Sequence, residues 1–333
     1  MFARDFVTRS DVTALFVDAN PSTRLTLATD AFAQVPSGSD PRFVDRLLAI
    51  ATAEHIEMII PGGDEDAFAL MRARDRFRDA GITITVQDDT FLPILQSKSS
   101  CYAALSARGF PVPSHRVVRT AADLDAALEE FGYPDRPMLM KPDAARGGYG
   151  VCVVAGSPRA CTEAMPVYNR ELAVQLLDGT TAYLCMPYYV GTIHDVDVLT
   201  YANGERFFGA RRRFTNVTKL FSGNAFSSNP ALLAFARQCI AALPTRYLLD
   251  LDILVTEVGE TILLEMNPRP SGSTVSYLPY GINLYHVLAK SYLDGVHLPV
   301  TAPPDGAEAI VLYDMATRTP KLAPAYVTAG THR

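Results

Sequence analysis

The sequence contains no tryptophan, no long apolar run and only five cysteines in 333 residues. The cysteines are odd in number and never form a C-x-x-C pair: Cys101, Cys152, Cys161, Cys185 and Cys239. This spacing excludes a disulfide framework or a zinc site and indicates reduced thiols. No apolar run approaches the roughly 18 residues that span a bilayer, and the N-terminus lacks a secretion signal. These absences predict a cytoplasmic protein with no membrane partner.

Positive charge is also scarce, because 30 Lys and Arg face 36 Asp and Glu, which gives a net charge of −6. No block of five or more basic residues occurs, so we expect no nucleic-acid partner. A few clustered cations could still bind a small anion. The sequence also lacks a G-x-S-x-G elbow and the G-x-G-x-x-G turn of dehydrogenases. With 48% hydrophobic and 20% charged residues, the chain is expected to fold into two or three domains.

Short β-like runs alternate with amphipathic helices over the first hundred residues. The predicted strands are Val12 to Val17, Ile56 to Ile60 and Ile82 to Val86. The predicted helices are Asp40 to His55, Glu65 to Asp79 and Thr90 to Arg108. This alternation predicts a parallel, doubly wound sheet. Such a domain usually opens with an apolar strand, whereas this chain begins in a predicted helix, Phe2 to Arg9. We therefore expect the first strand to be absent, either because the start is truncated or because this domain does not bind a nucleotide.

After a linker at Phe110 to Pro113 the sequence becomes rich in β-like runs with inserted helices. The predicted strands are Met138 to Lys141, Gly150 to Val154, Leu184 to Tyr189, Asp195 to Tyr201, Arg206 to Arg211, Leu251 to Thr256 and Thr261 to Glu265. Two helices are predicted, one capped by Thr120 and ending at Phe131, the other Pro230 to Ala242. The segment beyond Pro299 is rich in Pro, Ala and Thr and predicts no element.

The most informative segment is the last hairpin, LDLDILVTEVGETILLEMNPRPSGS. A symmetric turn centred on Val258 and Gly259 would place Asp252 opposite Glu265. Because strand side chains alternate, Glu265 and Asn267 would project together. Two carboxylates and an amide oxygen without His or Cys favour Mg²⁺ or Mn²⁺.

Arg269 would lie on the same face if the chain stays extended, close enough to hold an anion beside the metal. The alternative is a polar strand face that meets water and ends at Pro268. Residue types alone leave both interpretations open.

A second candidate is the segment KPDAARGGYG, which starts at Lys141 and carries Gly147, Gly148 and Gly150. Glycines let backbone N–H groups approach phosphate oxygens, and Lys141 supplies a positive charge. The segment is not a Walker A loop, because it lacks G-K-[S/T] and no helix follows. It indicates either a β-hairpin lid over a triphosphate or a plain glycine-rich hairpin.

A third candidate is the run Arg211 to Arg213 at the end of a predicted strand. Alternation places Arg211 and Arg213 on one face, where they could clamp a phosphate or a carboxylate. The alternative is a solvated basic edge that blocks strand pairing. Lys98 alone would be an ordinary surface lysine, and Cys101 lies on an apolar helix face, which indicates a buried thiol.

Taken in order, these segments resemble the ATP-grasp superfamily, most closely the carbamoyl-phosphate-synthase-like ligases with a pre-ATP-grasp domain. The resemblance runs from about Val12 to about Tyr285, and its most specific motif is Leu264 to Arg269. The segments Val17 to Pro21, Ile59 to Glu65 and Ser97-Lys98 are also similar to the family. It implies an α/β and α+β chain, with a Rossmann-like parallel sheet before a two-lobed ATP-grasp fold. The implied domains are 1–96, a small lobe 97–189, a large lobe 190–298 and a tail 299–333.

The resemblance also implies roles for individual residues. The implied ATP-binding residues are Lys98, Lys141, Gly147, Gly148, Gly150, Met186 and Tyr188. The implied Mg²⁺ ligands are Asp252, Glu265 and Asn267, and the implied catalytic residues that steady phosphate are Arg269, Arg213 and Lys141. Pro187 stands where the family has a hinge glutamate, and Ile193 or His194 where it has a ribose-binding one. We expect ATP affinity or nucleotide choice to differ as a result.

The resemblance implies an ADP-forming ligase that joins a carboxylate to an amine or thiol through an acyl phosphate, with amino acids among the candidate substrates. Its partners would be ATP, Mg²⁺ or Mn²⁺, and these small substrates, and a homodimer is compatible with the sequence. The alternative is a non-catalytic or regulatory ATP-binding protein of the same fold. A dehydrogenase is disfavoured because its glycine turn is missing.

Overall fold

The computed structural model describes residues 11–23, 31–144, 150–157, 165–214 and 223–310, and every statement below concerns these residues. The predicted helix Phe2 to Arg9, and with it the question of a missing first strand, lies outside them. Among the described helices, none is both long and apolar enough to cross a membrane.

The N-terminal region is built from two pairs of parallel strands. β1 (Phe16–Asp18) pairs with β2 (Phe32–Gln34), and β3 (Met58–Ile59) pairs with β4 (Thr83–Ile84). The helices of this region are α1 (Phe43–Ala53), α2 (Asp64–Arg72) and α3 (Arg74–Asp79). The parallel pairing agrees with the prediction. The single predicted helix from 65 to 79 is instead two helices that meet at Ala73.

The predicted long helix from Thr90 to Arg108 is wrong, because the chain breaks into a 3-10 turn (Asp89–Phe91), α4 (Leu92–Leu95) and α5 (Lys98–Ser106). Ser97 caps α5 by accepting the Ser100 N–H. Asp143 adds a second cap, since its carboxylate accepts from the Ser99 N–H at 2.8 Å. Lys98 is therefore the first residue of a helix and not part of its middle.

The next region is a five-stranded sheet in the order β5, β9, β6, β7, β8. Its strands are β5 (Arg116–Val118), β6 (Met138–Pro142), β7 (Cys152–Val154), β8 (Val167–Tyr168) and β9 (Tyr183–Pro187). The helices here are α6 (Ala121–Phe131) and α7 (Arg170–Val174). Thr120 and Asp123 form the capping box that starts α6, so that predicted boundary is confirmed.

The last region is a six-stranded antiparallel sheet in the order β14, β13, β10, β11, β12, β15. Its strands are β10 (Gly191–Thr200), β11 (Arg206–Arg213), β12 (Gly223–Ser227), β13 (Leu248–Thr256), β14 (Thr261–Asn267) and β15 (Glu308–Ile310). We call it the large sheet. β15 lies in the segment for which the sequence predicted no element.

The two faces of the large sheet are covered differently. Residues such as Val196 and Leu251 pack in one core with helix α8 (Pro230–Ala242), whose predicted bounds are confirmed. A 3-10 segment (Gly272–Tyr280) covers part of the opposite face, and helix α9 (Leu284–Leu293) follows it. The rest of that opposite face is polar, and most of its residues are buried, including Asp195, Asp197 and Arg211.

Candidate active site

Two rows of polar residues cross the polar face of the large sheet. The strand register sets Glu265, Asp252, Asp195 and Arg211 side by side in the first row. It sets Asn267, Asp250, Asp197 and Gly209 side by side in the second. Because directly opposed residues share a face, each row is continuous. The predicted pairing of Asp252 with Glu265 is confirmed.

The reason for that pairing differs from the predicted symmetric turn. Near the turn Val255 pairs with Thr261, a register that would bring Asp252 opposite Leu264. The register shifts between Asp252 and Ile253, so Leu264 is an extra residue in β14. Such a β-bulge re-aims the side chain that follows it. The bulge, and not the turn, brings Glu265 to the site.

Two side chains stabilise the bulge by hydrogen bonds to the backbone carbonyl of its extra residue, Leu264. The Tyr102 hydroxyl donates to the Leu264 carbonyl at 2.7 Å and also contacts the Leu263 carbonyl at 3.0 Å. Lys141 Nζ donates to the same Leu264 carbonyl at 3.1 Å. Burial lowers the pKa of Lys141 to about 8, helped by the charge of Lys98 and opposed by Glu265. Sequence analysis missed Tyr102, which looks there like one more apolar helix position.

Lys98 reaches the first row from the start of α5. Its Nζ lies 2.8 Å from Oε1 of Glu265. Burial raises the pKa of Glu265, and Lys98 counteracts part of that rise. The side chain of Lys98 is buried, so the interpretation of a surface lysine is wrong.

Arg213 bridges two carboxylates of the first row. Its Nη2 lies 2.7 Å from Oδ1 of Asp252, and its Nε donates to Oδ1 of Asp195 at 2.7 Å. The other oxygen of Asp195 accepts from Ser273 Oγ at 2.9 Å. Although burial favours the neutral acid, Arg213 and Arg211 hold the pKa of Asp195 below its usual range.

Arg211 is fully buried and donates from Nε to Oδ2 of Asp197 at 2.8 Å. Burial raises the pKa of Asp197 to about 6. The interpretation of a solvated basic edge is therefore wrong, since β11 is an interior strand and Arg211 has no access to water. Both arginines do share one face, as predicted, but only Arg213 is partly exposed.

Arg269 connects the large sheet to the N-terminal region. Its Nε lies 2.9 Å from Oδ1 of Asp64, the first residue of α2. Its Nη1 lies 3.9 Å from Oδ2 of Asp250. Arg269 therefore lies beside the acidic rows, although β14 ends at Asn267 and the chain bends at Pro268 and Arg269 instead of staying extended.

A group of three carboxylates could hold a divalent cation. Oxygens of Asp195, Asp250 and Asp252 lie within 4.8 Å of one another. Asn267 Nδ2 donates to Oδ2 of Asp250 at 3.1 Å, while Oδ1 of Asp250 is buried without a hydrogen-bond partner. Burial raises the pKa of Asp250 well above its usual range, and Asp252 adds to the rise. An oxygen-only donor set with an unsatisfied buried carboxylate fits Mg²⁺ or Mn²⁺.

Of the predicted metal ligands, Asp252 belongs to this group, Asn267 contacts it through Asp250, and Glu265 faces Lys98 instead. Asp195 and Asp250 were missed. The signal that could have found them is the repeated D-x-D pattern in β10 and β13, whose register places the two patterns opposite each other.

A cavity of about 430 Å³ adjoins the rows. Glu265 and Asn267 line it on the side of the large sheet, and Lys98 borders it from α5. Phe68 and Arg72 of α2 also line it. The cavity offers room for a small molecule next to the carboxylates.

The predicted glycine loop and hinge are only partly described. Gly147 and Gly148 lie outside the described residues. Gly150 has φ +72°, and a Cβ there would lie 2.8 Å from Pro142, so this position requires glycine. Met186 is buried in β9. The Tyr188 N–H donates to the Pro137 carbonyl at 3.0 Å, so this N–H is not available to an adenine ring.

The four thiols among the described residues are buried in the interior. Cys101, Cys152, Cys185 and Cys239 are free and buried, while Cys161 lies outside the described residues. Burial raises the pKa of Cys101 to about 12, which leaves the thiol protonated and inert.

Comparison with known proteins gives consistent matches. The family model "ATP-grasp in the biosynthetic pathway with Ter operon" matches residues 180–314. The chain is 27% identical over 188 residues to the D-alanine–D-alanine ligase of Geobacter sulfurreducens, which covers 52% of the chain and 55% of that enzyme. It is 22% identical over 342 residues to the carbamoyl phosphate synthase large chain of Streptomyces griseus, covering 89% of the chain and 28% of that protein.

Solved structures with the same fold include the N5-carboxyaminoimidazole synthetase of Staphylococcus aureus, with a TM-score of 0.69 at 13% identity, covering 93% of this chain and 77% of the other. Biotin carboxylase from Campylobacter jejuni has a TM-score of 0.68 at 18% identity, covering 92% and 71%. At these sequence identities the structural similarity supports a shared fold and not a shared function. The chain also spans only about half of the D-alanine ligase that it matches.

Proposed function

We propose that the chain is an ATP- and Mg²⁺-dependent ligase of the ATP-grasp type, which joins a carboxylate to an amine or a thiol and forms ADP. The match of residues 180–314 to an ATP-grasp family model supports the proposal. The observation that carries the proposal is the first row of the polar face. There Asp252 and Glu265 lie side by side, with Arg213 and Lys98 as their partners. Oxygen ligands and cations in one place are what a metal-bound triphosphate needs.

In the proposed reaction an oxygen of the substrate carboxylate attacks the γ-phosphorus, and the bond between that phosphorus and the β,γ-bridging oxygen breaks as ADP leaves. The nucleophile of the second substrate then attacks the carbonyl carbon of the acyl phosphate. Phosphate leaves, and the nucleophile loses a proton. No step needs a nucleophilic side chain, which agrees with the buried, protonated thiols of the described residues. The work of the protein is positioning and charge neutralisation.

We assign Lys98 and Lys141 to the phosphates of ATP, with Gly147, Gly148 and Gly150 as the loop over them. We assign Met186 and Tyr188 to the hinge that would contact adenine, although the Tyr188 N–H already donates to the Pro137 carbonyl. Arg213 and Arg269 would steady the transferred phosphoryl group.

Asp252, Glu265 and Asn267 would hold Mg²⁺, and Asp250 and Asp195 lie close enough to assist. When bound, the ion would neutralise charge on the phosphate oxygens. The side chains of this chain orient the triphosphate around it. The oxygen-only donor set supports this assignment.

We also propose the domain boundaries 1–96, 97–189 and 190–298. They separate the parallel pairs, the five-stranded sheet and five strands of the large sheet, whose sixth strand, β15, lies in the segment 299–333 that the sequence predicted to be a tail. The relatives named D-alanine–D-alanine ligase support amino acids as a substrate class. Cytoplasmic location and a homodimer stay predictions.

The test is release of ADP and phosphate by the purified chain with Mg-ATP and a panel of amino and hydroxy acids. The Glu265→Gln variant should lose turnover at least about 100-fold, because it removes charge from the proposed metal ligand. The matched control is Glu257→Gln, which changes an exposed residue in the turn of the same hairpin. Equal turnover in the wild type and Glu265→Gln would contradict the proposal.

A second candidate is a non-catalytic ATP-binding protein. The occupied Tyr188 N–H and Pro187 in the hinge favour it, because both change the place where adenine is expected to bind. This candidate predicts ATP binding without ADP release for every substrate in the panel.

A further inference from the structure

Two ion pairs connect the two halves of the proposed ATP site. Lys98 Nζ lies 2.8 Å from Glu265, and Arg213 Nη2 lies 2.7 Å from Asp252. In each pair the cation is one that we assign to phosphate, and the carboxylate is one that we assign to the metal. The site therefore neutralises itself with its own side chains.

In each pair at least one side chain is partly exposed to solvent. The side chain of Arg213 is 35% exposed and that of Asp252 is 15% exposed, and Glu265 is 25% exposed. The neighbouring pair of Arg211 and Asp197 is fully buried on both sides. A ligand can therefore reach the pairs Lys98–Glu265 and Arg213–Asp252, whereas it cannot reach the buried pair Arg211–Asp197.

Arg213 has a second attachment that does not involve Asp252. Its Nε and Nη2 both donate to Asp195, a fully buried carboxylate that Ser273 also holds. Arg213 can therefore release Asp252 and still remain in the site. Lys98 is likewise fixed at its backbone, because α5 is capped by Ser97 and Asp143.

We propose that Lys98 and Arg213 are placeholders that hold Glu265 and Asp252 until a divalent cation takes the carboxylates and phosphates take the cations. Asp195 is the positioning residue that retains Arg213 during the exchange. This inference rests on the proposed function. Each ligand alone must break the ion pairs and gains only half of the new contacts, so metal and phosphate strengthen each other's binding reciprocally.

The first test measures Mn²⁺ binding to the nucleotide-free protein by electron paramagnetic resonance. Arg213→Gln frees Asp252 and removes a nearby positive charge, so the affinity for Mn²⁺ should rise by about 5- to 150-fold, the usual range of such coupling. The control is Arg212→Gln, an equal change of charge at an exposed position on the same strand. An unchanged or weaker affinity in Arg213→Gln would overturn the proposal.

The second test is the reciprocal one, with tripolyphosphate as the probe and EDTA present. Glu265→Gln removes the carboxylate charge that faces Lys98, so tripolyphosphate should bind more tightly than to the wild type, by a factor in the same range of about 5 to 150. Glu257→Gln should leave the affinity unchanged. If Glu265→Gln binds the probe no better than the wild type, the exchange does not occur.

A double-mutant cycle tests the role of Asp195. Asp195→Asn should weaken tripolyphosphate binding in the wild-type background and have no further effect in the Arg213→Gln background. An equal loss in both backgrounds would show a general structural defect and overturn the assignment. Melting temperatures of all variants separate folding from binding.

These outcomes also separate the two proposals. A wild type that binds no Mg-ATP and releases no ADP contradicts the proposed function. A wild type that turns over Mg-ATP, with Mn²⁺ and tripolyphosphate affinities that do not respond to the variants, contradicts the placeholder inference alone.

Discussion

The two faces of the large sheet use the same strands for opposite purposes. On the face toward α8, Val196 and Leu251 are fully buried among other apolar side chains. One position along in each strand, Asp195 and Asp252 face the polar rows. Apolar burial stabilises the fold, whereas buried charge costs stability unless it is paired. The buried charges on the polar face therefore offset part of the stability that apolar burial provides on the face toward α8.

The largest expected effect on stability comes from breaking the fully buried ion pair. Arg211→Met would leave Asp197 buried and unpaired, which should lower the free energy of unfolding by about 3 to 5 kcal/mol. Urea unfolding followed by circular dichroism measures it. Arg212→Met, at an exposed position on the same strand, should change it by less than about 0.5 kcal/mol. Similar unfolding free energies for the two variants would mean that breaking the buried ion pair does not destabilise the protein.

The apolar face should respond almost as strongly. Leu251→Ala removes a fully buried side chain and should cost about 2 to 5 kcal/mol through lost burial and a cavity. Because Leu251 points away from the rows, ATP binding by the folded fraction should change little. Binding and unfolding measured on the same sample check both statements. A large loss of ATP affinity with normal stability would contradict the separation of the faces.

The bulge in β14 sets which side chains of this strand lie on each face, and Tyr102 stabilises it through a hydrogen bond to the Leu264 carbonyl. Tyr102→Phe leaves the carbonyl of Leu264 with one donor fewer in a buried place, at a cost of about 1 to 3 kcal/mol. Because Glu265 follows the bulge, Mg-ATP affinity should fall as well. Tyr133→Phe, on a partly buried tyrosine outside the site, is the control for loss of a hydroxyl. Unchanged Mg-ATP affinity in Tyr102→Phe would show that the bulge does not aim Glu265.

The smallest expected effect is an increase in the free energy of unfolding, in the variant Asp250→Asn. Asp250 has a raised folded-state pKa, so its contribution to stability is present below its unfolded pKa and is lost as pH rises through the folded one. Asp250→Asn should therefore stabilise the metal-free protein by about 1 kcal/mol at pH 8. The gain should shrink toward zero near pH 4. Urea unfolding at both pH values measures it, and a gain that does not depend on pH would contradict the assignment.

Sequence reasoning predicted the parts of this molecule that depend on local spacing. The helix α8 and the capped start of α6 follow from helix caps and apolar periodicity. The pair of Asp252 and Glu265 was predicted from a symmetric turn, but the bulge produces it. The bulge at Leu264 could not be predicted, because its position depends on Tyr102 and Lys141, more than 100 residues away.

Long-range packing also explains the errors. The break before Lys98 depends on Asp143, which caps α5 from the turn after β6. The basic run at Arg211 was ambiguous, because only the sheet order shows that β11 has a neighbour on each side. A strand at Glu308–Ile310 gave no local signal and exists through its pairing with β12.

The most direct test of the account is equilibrium dialysis of labelled ATP against the purified chain at fixed Mg²⁺. We expect Mg²⁺-dependent binding of ATP in the wild type and in Glu257→Gln, and a large loss of ATP binding in Asp252→Asn. Absence of binding in the wild type, or equal binding in all three proteins, would contradict the claim that the polar face of the large sheet is a Mg-ATP site.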